Sequence, residues 1–345
     1  MIYNLENYIK NIIIDRGALT LDRFMQLVSH YYYSNYNSIG QDFITAPEIS
    51  QMFGEMIGIY IVDIWYNSIQ KPIHLVELGP GNGTMMYDVL RTIKTFQEVY
   101  ENINRVILIE NSHLLKTKQQ KRLECFGDIN MVWYQNIEEV KENNLFILAN
   151  EFFDALPIKQ YHFQNGTLCE VVVMMDQNHN LIFGSALSNC PPFYVDKLKE
   201  HQFIEVSLQR EEYAKSIAGK IRDKNGHALI IDYGYKTTQS GSTLQALKSH
   251  AQAKILELIG CCDITSLVDF SSLANSFAKF GIQTTITTQR DFLLNLGILQ
   301  RAEMLQSKSA SVEKIQHQIN KLTSKEEMGE LFKVLIASSY EKQGE

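Results

Sequence analysis

Five short, continuous apolar runs, each separated from the next by residues at helical spacing, constrain this chain more than any other feature. They are HLVELG (74–79), RVILIE (105–110), MVWY (131–134), LFILANE (145–151) and ALIIDYG (228–234). A strand buried on both faces reads as an unbroken run rather than an alternation, and each of these ends in a turn signal. Strands that alternate with helices predict an α/β fold built on a doubly wound, Rossmann-like sheet. The segment TLCEVVVMMDQNHNLIFGSAL (167–187) reads as an inserted β-hairpin turning at Asn178-His179-Asn180. The tail predicts a helix near 271–280, a Thr-rich strand near 283–288, a helix from Asp291 and a last strand FKVLIAS (332–338).

Ahead of the first run the pattern is helical. Leu21, Phe24, Met25, Leu27 and Val28 recur at helical spacing after Thr20, a candidate cap. Thr45-Ala46-Pro47-Glu48 has the form of a capping box, and the helix it would open carries an apolar face from Ile49 to Trp65. The expected organisation is a helical cap over 1–70 and an α/β domain over 71–345. That domain would hold an insertion at about 160–225 and a C-terminal extension completing the sheet.

Composition narrows the function classes. Hydrophobic residues at 45% and charged residues at 21% exclude a disordered, collagenous or coiled-coil chain. The 32 Lys and Arg against 39 Asp and Glu leave a net charge of −7, so bulk electrostatics gives no help in binding nucleic acid or anionic lipid. Five cysteines without a C-x-x-C pair point to a reducing compartment, and the nine histidines have no ligand spacing, so no metal is expected. The first residues, with Glu6 and Asp15, fit neither a secretory signal nor a transit peptide. The apolar stretch at 49–65 is interrupted by Glu55 and Asp63, too polar to insert into a membrane. The expectation is a soluble cytoplasmic protein, or a matrix protein for a mature mitochondrial form.

The chemistry is concentrated where runs end. VELGPGNGT (76–84) carries a strand into Gly79, Gly81 and Gly83 and then into a helix. A nicotinamide fingerprint needs glycine where Thr84 stands, and no Gly-Lys-Ser/Thr follows as in a P-loop. G-x-G-x-G with Glu77 two residues before it resembles the first motif of class I S-adenosylmethionine methyltransferases. Glu110 closes the next run, where a carboxylate can accept hydrogen bonds from ribose hydroxyls. The fourth run ends in NEFFDALP (150–157). Asn150, Glu151 and Asp154 put an amide and two carboxylates there, and Phe152 and Phe153 would wall a substrate channel. A guanidinium about 4 Å from a sulfonium is repelled by about 4 kcal/mol at an effective dielectric of about 20. Carboxylates offset that repulsion and orient the cation.

The chain as a whole resembles the MidA family, which includes mitochondrial complex I assembly methyltransferases and bacterial relatives. The matching segments are DFITAPEISQMFGE (42–55), LVELGPGNGT (75–84), LANEFFDALP (148–157), LIIDYGY (229–235), GSTLQALKSHA (241–251), DITSLVDF (263–270) and MGELFKVL (328–335). They run in the family's order over nearly the whole chain. The resemblance implies a class I fold, S-adenosyl-L-methionine as cofactor, and a protein arginine methyltransferase acting on an iron–sulfur subunit of respiratory complex I. Carried over by position, it gives the cofactor Gly79, Gly81, Gly83 and Glu110, to which the reading of the strand ends adds Glu77, Thr84 and Asn150. Catalysis falls on Asn150, Glu151 and Asp154, and the substrate on Glu48, Phe152 and Phe153. His250 takes no role, because the residues that usually follow it in the family differ here. The alternatives are a client-binding chaperone that transfers nothing, or a methyltransferase of small molecules or nucleic acid. Retention of Glu110 and the NEFFD acids argues against the first, and the net charge of −7 argues against nucleic acid.

Overall fold

The computed structural model describes residues 5–35, 45–248, 251–307 and 311–340, with 193 described by its backbone alone. Residues 42–44 of the DFITAPEISQMFGE segment, and His250, lie outside them. Every apolar run becomes a strand within two residues of its expected bounds: β1 (Ile73–Leu78), β2 (Ile103–Ile109), β3 (Met131–Tyr134), β4 (Leu145–Asn150) and β5 (Gly226–Tyr235). The tail adds β6 (Thr284–Thr288) and β7 (Phe332–Ser338). Their order across the sheet is β6-β7-β5-β4-β1-β2-β3. The five runs pair in parallel, and β7 enters antiparallel between β5 and β6. All ten residues of β5 and all six of β4 are buried, as strands covered on both faces must be. This is the class I methyltransferase fold. Strand order reverses between β1 and β4, so the crevice beyond their carboxyl ends is where a ligand belongs.

The chain divides into two compact units. One comprises Ile44–Phe153, Tyr213–Lys236 and Val268–Glu345 and holds this sheet; the other comprises Met1–Phe43, Asp154–Glu212 and Thr237–Leu267. The expected cap over 1–70 is therefore divided, and residues 44–70 go with the sheet. The reason is α1 (Gln51–Ile64), which buries ten of its 14 residues and so needs cover on most of its circumference. It lies against α2 (Thr84–Ile93) at unusually short range. A Cβ on Gly54 would stand 2.6 Å from Asp88 Cβ, and one on Gly58 would stand 2.9 Å from Thr92 Cβ.

The other unit is built on antiparallel pairing. Thr167–Met175 pairs with Leu181–Leu187, with Lys159–Gln164 and with the short strand Leu19–Thr20. The hairpin anticipated at 178–180 is thus one part of a five-stranded sheet. Its turn is held by Asp176, whose Oδ1 accepts the N–H groups of Asn178 and Asn180, each at 2.8 Å. Thr20, expected as a helix cap, stands directly before the helix Leu21–Asn35 and also pairs with Val172. The helix Leu21–Asn35 buries Leu21, Phe24, Met25 and Val28 in this unit's core, beside Leu5 and Ile9. No helix among the described residues is long and apolar enough to cross a membrane.

Candidate functional site

β1 runs out at Leu78 into a loop whose three glycines are all left-handed, with φ of +63° at Gly79, +52° at Gly81 and +77° at Gly83. Side chains other than glycine adopt that region at a cost of roughly 1–2 kcal/mol per residue. Three such residues within five therefore demand glycine. At Gly79 space is closed as well, since a Cβ would meet Phe152 Cδ2 at 2.9 Å. Gly83 stands at the N-terminus of α2, where free backbone N–H groups favour anionic or electron-rich ligand atoms.

Glu48 braces this loop. Its Oε1 accepts from Thr84 Oγ1 at 2.6 Å and from Asn82 Nδ2 at 3.2 Å, and the Arg122 guanidinium donates to the same Thr84 hydroxyl. The capping box anticipated from Thr45 and Glu48 does not form, because the helix there stops after one turn, Ala46–Ile49, and Thr45 makes no side-chain cap. Ser50 is extended and caps α1 instead, accepting from the Met52 N–H at 3.3 Å. Glu48 is thereby freed for the glycine loop.

At the end of β2, Glu110 is held from both sides. The Ser112 N–H reaches its Oε1 at 2.7 Å, and Gln119 Nε2 reaches its Oε2 at 3.0 Å. Burial pushes its carboxyl above the usual range, and these donors partly offset the rise. Gln119, on α3 (His113–Leu123), also donates to the Gly81 carbonyl at 2.8 Å and accepts from Trp133 Nε1 at 2.9 Å. Gln119 stands in no motif of the sequence. The signal was its spacing, since Leu115, Gln119 and Leu123 are the buried residues of α3, four apart.

β1 and β4 are neighbours, and each ends in a buried polar side chain with an open acceptor. Glu77 Oε2 and Asn150 Oδ1 have no hydrogen-bond partner among the described residues. Burial pushes the Glu77 carboxyl up to about 8, with the Glu110 charge adding to the shift. Open acceptors suit a ligand rich in donors and positive charge, as an α-ammonium, a sulfonium and ribose hydroxyls provide. Together with the glycine turn, they fit S-adenosyl-L-methionine.

Beyond Asn150 the NEFFD residues separate. Glu151 is left-handed at φ +49°, and its Oε1 accepts from the Ala46 N–H at 2.9 Å and from Asn150 Nδ2 at 3.3 Å. Phe152 is half-buried against Gly79 and lies edge-on to Tyr213, with centroids 5.0 Å apart. Phe153, expected on a channel wall, is wholly buried, its N–H donated to Asp232 Oδ2 at 2.9 Å. Its ring is part of the core and lies edge-on to Phe152, with centroids 5.5 Å apart. Asp154 belongs to the other compact unit, buried there, its carbonyl accepting from the Ser266 N–H at 3.1 Å and from Arg210 at 2.9 Å.

Residues 56–288 match the family model of S-adenosyl-L-methionine-dependent methyltransferases. Over 93% of its length and 83% of the relative's, the chain is 31% identical to the mitochondrial protein arginine methyltransferase NDUFAF7 of Danio rerio. The Homo sapiens protein of that name is 31% identical over 85% of this chain and 73% of its own. Among solved structures, a COG1565 superfamily member from Burkholderia thailandensis bound to S-adenosyl-homocysteine superposes with a TM-score of 0.83. It is 21% identical, with 97% of this chain and 91% of that one covered, and this likeness speaks to the fold.

Proposed function

The chain belongs to the MidA family of S-adenosyl-L-methionine-dependent methyltransferases, and on that premise we propose that it methylates arginine in a protein client. S-adenosyl-L-methionine, when bound, supplies a methyl group already activated by its sulfonium. Glu110 accepts from the ribose hydroxyls, and Glu77 and Asn150 offer their open oxygens to the cationic amino end. The glycine turn lets backbone approach where a side chain would block it. Phe152 packs the loop from the β4 side.

The observation that carries the arginine assignment is Glu151. A non-glycine residue at φ +49° is strained backbone, and here it presents a carboxylate at the end of β4, beside the crevice. A carboxylate there holds a guanidinium, orients the attacking nitrogen and offsets its repulsion from the sulfonium. Proximity and orientation then supply much of the acceleration. The curated relatives carry the same activity in their names. For the client, the family resemblance favours an iron–sulfur subunit of respiratory complex I, reached in the bacterial cytoplasm or the mitochondrial matrix.

The test uses purified protein, methyl-labelled S-adenosyl-L-methionine and an extract of the source cells, followed by acid hydrolysis and chromatography of the amino acids. Label should appear as methylarginine in a complex I subunit. Glu151→Gln keeps an oxygen for the Ala46 N–H yet removes the charge, so turnover should fall about 10- to 100-fold, a loss of roughly 1.4–2.7 kcal/mol in barrier terms, with S-adenosyl-homocysteine affinity unchanged. Label in lysine, in small molecules or in RNA would overturn the arginine reading. So would an unimpaired Glu151→Gln.

A further inference from the structure

Gln119 is wholly buried, and its three side-chain hydrogen bonds all go to residues around the cofactor crevice. We propose that Gln119 is the positioning residue of the cofactor site: one side-chain amide sets both the Glu110 carboxylate and the Gly81 peptide, and Trp133 sets the amide. The inference rests on reading Glu110 as the ribose acceptor.

The indole N–H of Trp133 can only donate. The atom it meets must therefore be Gln119 Oε1, which leaves Nε2 facing Gly81 and Glu110 with its two N–H groups. Both are used, on the Gly81 carbonyl at 2.8 Å and on Glu110 Oε2 at 3.0 Å. With Glu110 Oε1 taken by the Ser112 N–H, the carboxylate plane is set from both ends. Each of its oxygens still has acceptor capacity for a ribose hydroxyl. The Gly81–Asn82 peptide is trans, so tethering its carbonyl to Gln119 turns the Asn82 N–H the opposite way. The helix backbone itself is close, for a Cβ on Gly83 would lie 3.4 Å from Gln119 Cα.

Burial sharpens the point. Leu115 and Leu123 occupy the same inward stripe of α3, and a leucine at 119 would suit that stripe. An amide buried there is costly unless bonded. Gln119 thus joins pieces of three successive strand segments: the glycine turn after β1, Glu110 after β2 and Trp133 within β3.

The experiment is a calorimetric titration with S-adenosyl-homocysteine of the wild-type protein, Glu110→Ala, Gln119→Met and the double variant. Gln119→Met keeps length and removes the donors. It should weaken binding about tenfold in the wild-type background and several-fold less once Glu110 is alanine, where only the tether to the Gly81 carbonyl is left to lose. In turnover, KM for S-adenosyl-L-methionine should rise while kcat at saturation stays. Trp133→Phe, a milder change that only releases the amide, should give a smaller loss with the same dependence on Glu110, and decides the matter if Gln119→Met does not fold. Equal losses in both backgrounds, or no loss in the wild-type background, overturn the inference alone. A Glu110→Ala protein that binds as tightly as wild type overturns the ribose reading and the inference together.

Discussion

Glu77 and Glu110 are carboxylates at the ends of neighbouring strands that both resist ionisation, and for the same first reason, burial. Glu77 titrates at about 8 in the folded protein against 4.5 in a free chain. The native state therefore binds the extra proton between those values, and the contribution of this group to stability falls as pH rises through that window. Glu77→Gln should flatten the decline, seen as a smaller difference in melting temperature between pH 5 and pH 8 than the wild type shows. A cation against Glu77 reverses the preference and draws the proton off. S-adenosyl-L-methionine should then bind more tightly at pH 8 than at pH 6 and release a proton, measurable by calorimetry in buffers of different ionisation enthalpy. Loss of that proton release in Glu77→Gln would tie it to this side chain. The charge pattern was visible in VELG, whereas the open Oε2 was not, because it depends on what the neighbouring strands fail to supply.

Helices α1 and α2 cross at Gly54 and Gly58, and α2 carries the N-terminus that follows the glycine turn. Gly54→Ala brings a methyl to 2.6 Å from Asp88 Cβ, so one helix must move. Overpacking of this kind costs about 1–3 kcal/mol, and the variant should unfold at lower denaturant with weakened S-adenosyl-homocysteine binding. An unchanged midpoint would mean that the crossing is slack. Beside it, Glu55 looks in sequence like a polar interruption of an apolar helix. In the structure its carboxylate takes the Arg91 guanidinium at 2.9 Å and Arg301 Nε and Nη2 at 2.8 and 2.9 Å, joining α1 to α2 and to the helix Ile298–Gln306. Arg301 lies 246 residues away, so no local window contains the pair. Thr45–Glu48 teaches the converse lesson. Its local pattern was right for a capping box, yet one extended residue, Ser50, ended the turn and passed Glu48 to the glycine loop.

At the scale of the molecule, the chain passes from one compact unit to the other after residues 43, 153, 212, 236 and 267. Two of those passages lie beside residues gripped by a single side chain. Arg210, buried, donates to the carbonyls of Asp154, Ser266 and Leu267 at 2.9, 3.0 and 2.9 Å and to the Ser266 hydroxyl at 2.7 Å. Arg210→Met strands the Ser266 and Leu267 carbonyls at about 1–3 kcal/mol each before relaxation, while the Asp154 carbonyl keeps the Ser266 N–H. It should lower the melting temperature by several degrees and open the chain near 154 or 266 to limited proteolysis; a protease pattern identical to wild type would remove Arg210 from that role. By itself the sequence determined the sheet, the glycine turn and the carboxylates at the strand ends. Those are written in spacing over a few residues, where burial on two faces and left-handed backbone each demand a residue type. Only the tertiary structure decided that Gln119 joins Gly81 to Glu110, that Phe153 is core and that Glu48 serves the loop. A polar or aromatic side chain carries no local record of its partner, and here the partners lie 38 residues away for Gln119 and Gly81, 79 for the Asp232 carboxylate and the Phe153 N–H, and 36 for Glu48 and Thr84.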